Sequence, residues 1–407
     1  MNTLVLAYLC EPNRGSERGA GWGMIQALLR FSDCMLICGP EAGSAIARWR
    51  ADREVHGLEV EVVPEPLWGP LAKRTRIGEF LTYLSWQRRA RRVGRRLAER
   101  GSFDVAYHAT LSAFWLPSVA TEFGLPSVWG PVGGAVTTPV RLWPLLGWKG
   151  AVVEVVDWLA VRLMSLLGST RRTWRAATVR IAQNRQTVSR LPSGLRATTV
   201  VLNHAEFHRV PRPELLPPEE VPEPYVAWVS PMESRKGPEL AVRAIAAASS
   251  SMRMVMAGDG PERARMEALA QDLGVANRIT FLGMVPHHRA LEVIRNADVA
   301  VFTGLREEGG LALAEALLMG TPVVVLANGG ADAIAQAATR PDLVARIEPG
   351  STKNTVTAMA RALDVCFERE RGQPKDARSP LLDQKGSVET LRGLVNDAAS
   401  GNGGADQ

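Results

Sequence analysis

The chain alternates short apolar runs with longer stretches in which apolar residues recur at helical spacing. Runs of this kind, separated by helical patterns, predict strands of a doubly wound parallel sheet. The pattern occurs twice, which predicts an α/β protein with two such sheets. The predicted strands are 3–9, 34–38, 59–63, 105–108, 127–130 and 178–182 in the first half, and 225–229, 252–257, 279–282, 299–302 and 323–326 in the second.

A chain of 407 residues is too long for one ordinary core, so two domains are expected. Residues 211–224 hold six prolines and four glutamates, a composition that predicts an extended linker. The predicted parts are an N-terminal domain at 1–210, the linker at 211–224, a C-terminal domain at 225–375, closing helices at 376–399 that return toward the first domain, and a disordered tail at 400–407.

Composition restricts the class of protein only coarsely. At 46% hydrophobic and 22% charged residues the chain is ordinary for a soluble protein. Its net charge of +6 favours anionic partners such as a nucleotide, an acidic lipid surface or a nucleic acid. The four cysteines have neither paired spacing nor a neighbouring histidine, so we expect free thiols in a reducing cytosol and no zinc site.

Two segments bear on membranes. The apolar run 151–168 is interrupted by Glu154, Asp157 and Arg162, which makes it a poor membrane span. Residues 87–100 hold seven arginines against one glutamate and follow an aromatic and aliphatic stretch. Such a run is either a solvated helix face or a contact with an anionic membrane, and both interpretations stay open.

The first residues are apolar but have no basic segment before them, so they predict a strand and no signal peptide.

The loop after the predicted strand 299–302 carries the most informative side chains. Glu307 lies at the carboxyl end of that strand, and Glu315 lies on the first turns of the helix that follows Gly309 and Gly310. Open α/β sheets bind ligands at this edge. The glycines let a ligand approach the backbone, and a helix N-terminus favours a phosphate. A glutamate at this position can also do no more than stabilise the helix through its favourable interaction with the helix dipole. This alternative stays open for Glu307 or Glu315 taken alone.

Taken together, the sequence E-E-G-G-L-A-L-A-E-A resembles the E-x7-E motif of family 4 retaining glycosyltransferases, whose loop reads close to E-G-F-G-L-x-x-x-E-A. The resemblance implies that Glu307 faces the hydroxyls of the donor sugar and that Glu315 holds the ribose. It also implies that the amides around Gly310 and Leu311 meet the diphosphate. Glu308 stands where the family has a glycine.

A second match lies in 230–237, which reads S-P-M-E-S-R-K-G. It resembles the family segment G-R-L-x-x-x-K-G, whose arginine and lysine contact the diphosphate. Lys236 and Gly237 match the lysine and its glycine, whereas Pro231 occupies the place of the arginine. The resemblance therefore makes Lys236 the expected cation on the leaving group, and Arg235 is a candidate to replace the missing arginine.

The N-terminal half carries candidates on three strand ends. A glycine-rich loop at 13–23 follows the first strand and leads into a predicted helix from about Trp22 to Arg30. The loop predicts either a flexible connector or a turn that faces a phosphate or a sugar. It is similar to the family opening G-S-E-x-G-x-G-W, which implies donor contacts by Gly15 and Ser16 and an acceptor contact by Glu17.

His108 ends another predicted strand. A lone histidine there is often only hydrogen-bonded, but in family 4 a histidine at the matching place reaches the transferred sugar. The sequence G-P-V-G-G that ends the strand 127–130 is similar to a turn in one branch of the family, which makes Gly133 and Gly134 acceptor-side candidates.

The resemblance implies the GT-B architecture, with two Rossmann-like parallel-sheet domains facing a deep cleft. It implies an acceptor-binding domain at 1–210 and a donor-binding domain at 225–375. The expected activity is retaining transfer of a hexosyl group from a UDP-, GDP- or dTDP-sugar, with UDP preferred, to a hydroxyl acceptor in glycan, glycolipid or natural-product biosynthesis.

We expect no cofactor, no metal and no nucleic-acid partner. The location expected is cytoplasmic, with association at the inner face of an anionic membrane left open. The alternatives are a sugar phosphorylase or epimerase on the same frame and a catalytically silent partner subunit.

Overall fold

The computed structural model describes residues 1–12, 15–51, 53–73, 75–210, 224–249 and 252–401. The described residues form two compact units. The first unit is built from 1–135, 160–208 and the residues from 384 on, and the second from 136–159 and 209–383. The predicted linker lies outside the described residues except for Pro224, and of the predicted tail only Ser400 and Gly401 are described.

The first unit contains a parallel sheet of seven strands in the order β3-β2-β1-β4-β5-β6-β7. The strand order reverses between β1 and β4, and in open α/β sheets ligands bind beside such a reversal. Its strands are β1 (Asn2–Ala7), β2 (Asp33–Cys38), β3 (Leu58–Val62), β4 (Val105–His108), β5 (Ser127–Val132), β6 (Val179–Ala182) and β7 (Thr199–Val201).

The second unit contains a parallel sheet of six strands in the order β10-β9-β8-β11-β12-β13. The order reverses between β8 and β11, so the loops that follow these two strands leave the same edge of the sheet side by side. Its strands are β8 (Tyr225–Val229), β9 (Arg253–Ala257), β10 (Ile279–Gly283), β11 (Val299–Phe302), β12 (Val323–Leu326) and β13 (Val344–Ile347).

Helices connect the strands in both units. In chain order they are α1 (Ser16–Leu28), α2 (Pro40–Arg50), α3 (Gly69–Ala72), α4 (Arg76–Arg100), α5 (Gly147–Met164), α6 (Gly168–Ala176), α7 (Arg185–Arg190), α8 (Ser193–Arg196), α9 (Pro238–Ala247), α10 (Arg263–Asp272), α11 (His287–Asn296), α12 (Leu311–Leu318), α13 (Gly329–Gln336), α14 (Thr352–Glu370) and α15 (Gln384–Ala399). Among the described residues, none of these helices combines the length and the apolar character needed to cross a bilayer.

Two segments change units along the chain. Residues 136–159, which the sequence analysis placed within a first domain of 1–210, join the second unit because Leu142, Leu145 and Leu146 pack into its core. Helix α15 joins the first unit, where its apolar residues enter the core beside β4 and β5. The Gln384 side chain donates hydrogen bonds to the carbonyl of Glu206, at 3.1 Å, and to that of His208, at 2.6 Å.

The arginine-rich segment 87–100 lies on α4. Arg89 donates to the carbonyl of Glu65 at 2.7 Å, and Arg91 forms an ion pair of 2.8 Å with Glu122. The aromatic residues Tyr83 and Trp86 that precede the segment are buried in the core of the first unit. These arginines therefore contact their own unit, and a membrane contact of the segment stays a hypothesis.

Candidate functional site

The loop after β8 is fitted closely against the end of β11. Gly237 has a left-handed backbone with φ of 63°, and a Cβ atom there would lie 2.2 Å from the carbonyl oxygen of Thr303. A side chain at this position is therefore excluded both by conformation and by space. The Thr303 hydroxyl donates to the carbonyl of Lys236 at 3.1 Å. These contacts fix Lys236 at the carboxyl edge of the second sheet.

Lys236 and Glu307 form an ion pair in which the lysine ammonium donates to Oε2 of the glutamate. Their side chains are only 15% and 21% exposed. The other carboxylate oxygen accepts from the backbone N–H of Gly310 at 3.3 Å. Burial raises the pKa of Glu307, but the Lys236 charge and these hydrogen bonds outweigh it and leave the pKa below its ordinary value. The expected cation on the leaving group and the expected partner of the sugar hydroxyls are thus in direct contact, and Glu307 is a carboxylate at neutral pH.

Backbone contacts tie three loops together around this pair. The N–H of Leu305 donates to the carbonyl of Arg235 at 2.9 Å, which joins the loops after β11 and β8. The N–H of Gly330 donates to the carbonyl of Glu307 at 2.7 Å, which adds the loop after β12. A Cβ atom on Gly330 would lie 1.9 Å from the carbonyl oxygen of Glu308, so the approach requires glycine. These hydrogen bonds and close contacts therefore fix the backbone of the loops that carry Lys236 and Glu307.

Gly310 is the residue before α12 and has a left-handed backbone with φ of 65°. Gly309 and Gly310 are buried, and Leu311 is half-buried at the first position of the helix. The first N–H groups of a helix have no partner within it and carry partial positive charge. The glycine turn thus places a helix N-terminus next to Glu307, as an anion site requires.

Glu315 lies on α12 and is buried, with 5% of its surface exposed. Its Oε1 is 2.8 Å from Nε2 of His287, the first residue of α11. This hydrogen bond raises the pKa of His287, against the lowering effect of its burial. His287 was not among the site residues predicted from the sequence. The available signal was a polar residue four positions after β10 and at the start of a helix, because this position lies at the ligand-binding edge of the sheet.

Arg235 forms its ion pair with a different glutamate from that of its neighbour Lys236. Its guanidinium pairs with Glu233 at 2.6 Å, and both side chains are 38% exposed. Pro231, at the place of the family arginine, is exposed. The replacement of the missing arginine by Arg235 stays a prediction, and this pairing does not favour it.

In the first unit, the glycine-rich loop is shorter than predicted. Gly15 precedes α1, which begins at Ser16, and Glu17 is exposed on its first turn. Gly21 and Gly23 lie inside the helix, where a Cβ atom would be 2.5 Å from the carbonyl oxygens of Leu9 and Phe207 respectively. These two glycines therefore serve close packing. The ligand contacts expected of Gly15, Ser16 and Glu17 stay predictions.

His108 is the last residue of β4 and is fully buried. Its Nε2 is 3.2 Å from the Tyr83 hydroxyl, and its Nδ1 is 2.8 Å from the Ser118 hydroxyl. Burial lowers the pKa of His108 to about 4, so the ring is neutral at pH 7. This arrangement is that of a hydrogen-bonded histidine at a strand end. Its contact with a transferred sugar stays a prediction.

Gly133 and Gly134 follow β5 and contact the loop after β4. The N–H of Gly133 donates to the carbonyl of Ser112 at 2.9 Å. Gly134 has φ of 88°, and a Cβ atom there would lie 2.6 Å from the indole nitrogen of Trp115. Gly134 is thus needed for the close approach of two loops at the carboxyl edge of the sheet, and Gly133 joins them through its backbone. Their role toward an acceptor stays a prediction.

Comparison with known proteins finds a family match in the second unit. Residues 216–363 match the family of glycosyl transferases group 1. This segment is therefore similar to the members of that family. It contains Lys236, Glu307 and Glu315. The finer assignment to family 4 and its E-x7-E motif stays a prediction.

Relatives and solved structures extend the similarity. The chain is 28% identical over 217 residues to 2-deoxystreptamine glucosyltransferase of Streptomyces kanamyceticus, a match that covers 52% of this chain and 54% of the relative. The chain thus spans about half the length of this relative. It is similar in fold to sucrose-phosphate synthase from Thermosynechococcus elongatus, with a TM-score of 0.57, 17% identity and coverage of 98% and 100% of the two chains. A structure of Anabaena HepE in complex with UDP gives a TM-score of 0.53 at 17% identity, covering 99% and 97%. The predicted fold, two Rossmann-like parallel-sheet domains as in GT-B proteins, is confirmed.

The matched segment is also held by contacts that were not predicted from the sequence. Arg306 pairs with Glu154 at 3.2 Å and with Asp157 at 2.8 Å. Glu308, at the family's glycine position, accepts from the N–H of Val136 at 2.9 Å. Both neighbours of Glu307 are therefore anchored to residues 136–159. Glu154 and Asp157, two acids at helical spacing within an apolar run, were the signal for these contacts.

Proposed function

We propose that this chain is a retaining glycosyltransferase that moves a hexosyl group from a nucleotide-diphosphate sugar to a hydroxyl acceptor. The observation that carries the proposal is the contact of Glu307 with Lys236 and with the Gly310 amide inside the segment that matches the group 1 family. The similarity to a glucosyltransferase supports the reaction class. A protein of similar fold was solved with UDP, which supports a nucleotide-sugar donor with UDP as the preferred nucleotide.

The chemical task is to stabilise a leaving group. As the sugar leaves, negative charge grows on the diphosphate, so a cation and oriented N–H groups act most strongly in the transition state. Lys236 is the proposed cation, and the amides from Gly310 into α12 are the proposed donors. In this proposal the chain itself supplies the positive charge, and no metal ion or cofactor takes part.

Glu307 and Glu315 divide the recognition of the donor. Glu307 is ionised and lies beside Lys236, so it is placed to accept hydrogen bonds from sugar hydroxyls while Lys236 contacts the phosphate. Glu315 is the proposed acceptor for the ribose hydroxyls. His287 holds its carboxylate through the contact of 2.8 Å.

The acceptor belongs to the first unit in this proposal. Its candidates are Glu17, Gly133 and Gly134, all at the carboxyl edge of the first sheet. Acceptors from glycan, glycolipid and natural-product biosynthesis all present the required hydroxyl. A cytoplasmic location follows from the same proposal, because nucleotide sugars are made there.

The test begins with hydrolysis of UDP-, GDP- and dTDP-sugars and continues with a screen of hydroxyl acceptors. Transfer that retains the anomeric configuration supports the proposal. A requirement for free phosphate would instead indicate a phosphorylase, and isomerisation of the donor without an acceptor would indicate an epimerase. Nucleotide binding without turnover of any donor would indicate a silent partner subunit.

Replacing Glu307 with glutamine is expected to lower turnover by about tenfold or more, or about 1.4 kcal/mol. Glutamine keeps an acceptor for the Gly310 amide but removes the charge that faces Lys236 and the sugar. The affinity for free UDP should change little, because the sugar is the proposed partner of Glu307. Steady-state rates and calorimetry with UDP and UDP-glucose measure the two effects. Equal losses of affinity for both ligands would contradict this division of roles.

A further inference from the structure

Helix α5 presents its acidic residues inward in the second unit. Glu154 is 5% exposed, and its carboxylate accepts from the N–H of Thr138 at 2.8 Å while it pairs with Arg306 at 3.2 Å. Asp157 pairs with the same guanidinium at 2.8 Å. The acidic residues of this helix thus serve to anchor Arg306, the residue before Glu307. This orientation is the reverse of an ordinary surface helix, whose apolar side faces the core.

The opposite side of α5 is apolar and open to solvent. Five of its exposed residues recur at the spacing of one stripe of a helix, and Val153 and Trp158, which are 46% and 41% exposed, lie on either side of them. We call this surface the apolar stripe. Its members are Trp148, Val152, Val155, Val156 and Leu159, which are 76%, 54%, 40%, 57% and 54% exposed.

Exposed apolar residues are common singly, but a stripe of five on one helix marks a contact surface. Helix α5 is not a membrane span, since no described helix has the length and apolar character for one. The stripe is therefore suited to lie along a surface.

The charges around the stripe favour an anionic surface. Lys149 is exposed, and its ammonium lies 5.6 Å from the centre of the Trp148 ring. Arg141 is also exposed, in the short 3-10 helix that leads into α5. Because Glu154 is buried and Asp157 is paired with Arg306, the exposed positions from 147 to 159 include a lysine and no unpaired carboxylate. Apolar residues flanked by basic ones bind at the boundary of headgroups and acyl chains.

We propose that the apolar stripe of α5 docks on the surface of an anionic lipid bilayer. Trp148 would lie at the level of the headgroups, where tryptophan is enriched, with Lys149 toward the phosphates. The surface differs from the arginine-rich segment of α4, whose aromatic neighbours are buried. The inference does not require the proposed transferase activity, so each can fail without the other.

Flotation of the full chain with vesicles tests the proposal. Vesicles of phosphatidylcholine and phosphatidylglycerol in equal parts should bind the parent protein at low salt, and phosphatidylcholine alone should bind it more weakly. The variant Trp148→Ser/Val152→Ser/Val156→Ser should lose at least about tenfold in partitioning, because it removes most of the exposed apolar area. Lys149→Glu should weaken binding to the anionic vesicles more than binding to the neutral ones, and added salt should do the same.

The second unit supplies a matched control. Leu273, Met284 and Val365 are 37%, 73% and 68% exposed and lie on other elements of the same unit. Their triple replacement by serine should leave vesicle binding within about twofold of the parent. An unchanged Tm and circular dichroism spectrum for both triple variants shows that the changes act on the surface.

Four outcomes would overturn the proposal. The first is that the parent protein does not bind anionic vesicles at low salt. The second is that the control variant loses as much binding as the stripe variant. The third is that replacement of Arg88, Arg92, Arg96 and Arg100 by glutamine abolishes binding while the stripe variant keeps it, which would assign the contact to α4. The fourth is that sedimentation shows a dimer that the stripe variant dissociates, with no vesicle binding, which would assign the stripe to a second copy of this chain.

Discussion

Replacing Lys236 with alanine is expected to lower the rate of sugar transfer by about a hundredfold, or about 3 kcal/mol of transition-state stabilisation. The reason is electrostatic. The ammonium is held at the carboxyl edge of the sheet, mostly shielded from water, where a charge interacts strongly with a developing phosphate anion. Free UDP should lose less affinity, because the charge on the leaving phosphate increases in the transition state. Initial rates at saturating donor, with calorimetry on UDP, measure the two effects.

The same change leaves the Glu307 carboxylate without its cation, which costs stability as well as activity. The variant Lys236→Met/Glu307→Gln separates the two causes. It removes both charges, so it should recover most of the free energy of unfolding without recovering transfer. Recovery of both would assign Lys236 a structural role only.

Arg235→Ala is the neighbouring control. Its guanidinium pairs with Glu233 and is more exposed than Lys236, so the expected loss of transfer is less than about threefold. A loss comparable to that of Lys236→Ala would mean that Arg235 has taken over the contact of the missing arginine. If both alanine variants transferred sugar at the parent rate, the proposed phosphate site would have to be abandoned.

The parallel sheets were predictable because buried strands are short and apolar on both faces. The run 299–302, for example, is β11, and 225–229 is β8. The reversal of strand order between them could not be read from local pattern, yet it is what brings the loops of Lys236 and Glu307 together across 71 positions. Strand β13 was missed because it is a short edge strand with alternating exposure.

The remaining features of the fold and of the candidate site depend on contacts between residues that lie far apart in the sequence. Gly21 and Gly23 indicated a loop because glycine is a poor helix former, but they lie in α1 where two carbonyls leave no room for a side chain. Periodicity does not show which side of α5 faces inward. In the structure the acidic side faces inward, because Glu154 pairs with Arg306. The pair of His287 and Glu315 joins two helices 28 positions apart, and no local pattern specifies it.

Glu315→Ala is expected to weaken UDP binding by about 1 to 3 kcal/mol, because buried hydroxyls of the ribose would lose a charged acceptor. A comparison of UDP with its 2′-deoxy and 3′-deoxy analogues makes the test specific. In the parent protein, loss of the hydroxyl that Glu315 binds should lower affinity, whereas in the variant the same loss should have little further effect. Glu308→Gln is the matched control, since its carboxylate contacts the N–H of Val136, and it should leave UDP affinity within about twofold. Calorimetry that shows unchanged UDP affinity in a folded Glu315→Ala protein would remove Glu315 from the nucleotide site. His287 would then also lose its assigned role, which is to hold the Glu315 carboxylate in place for the ribose hydroxyls.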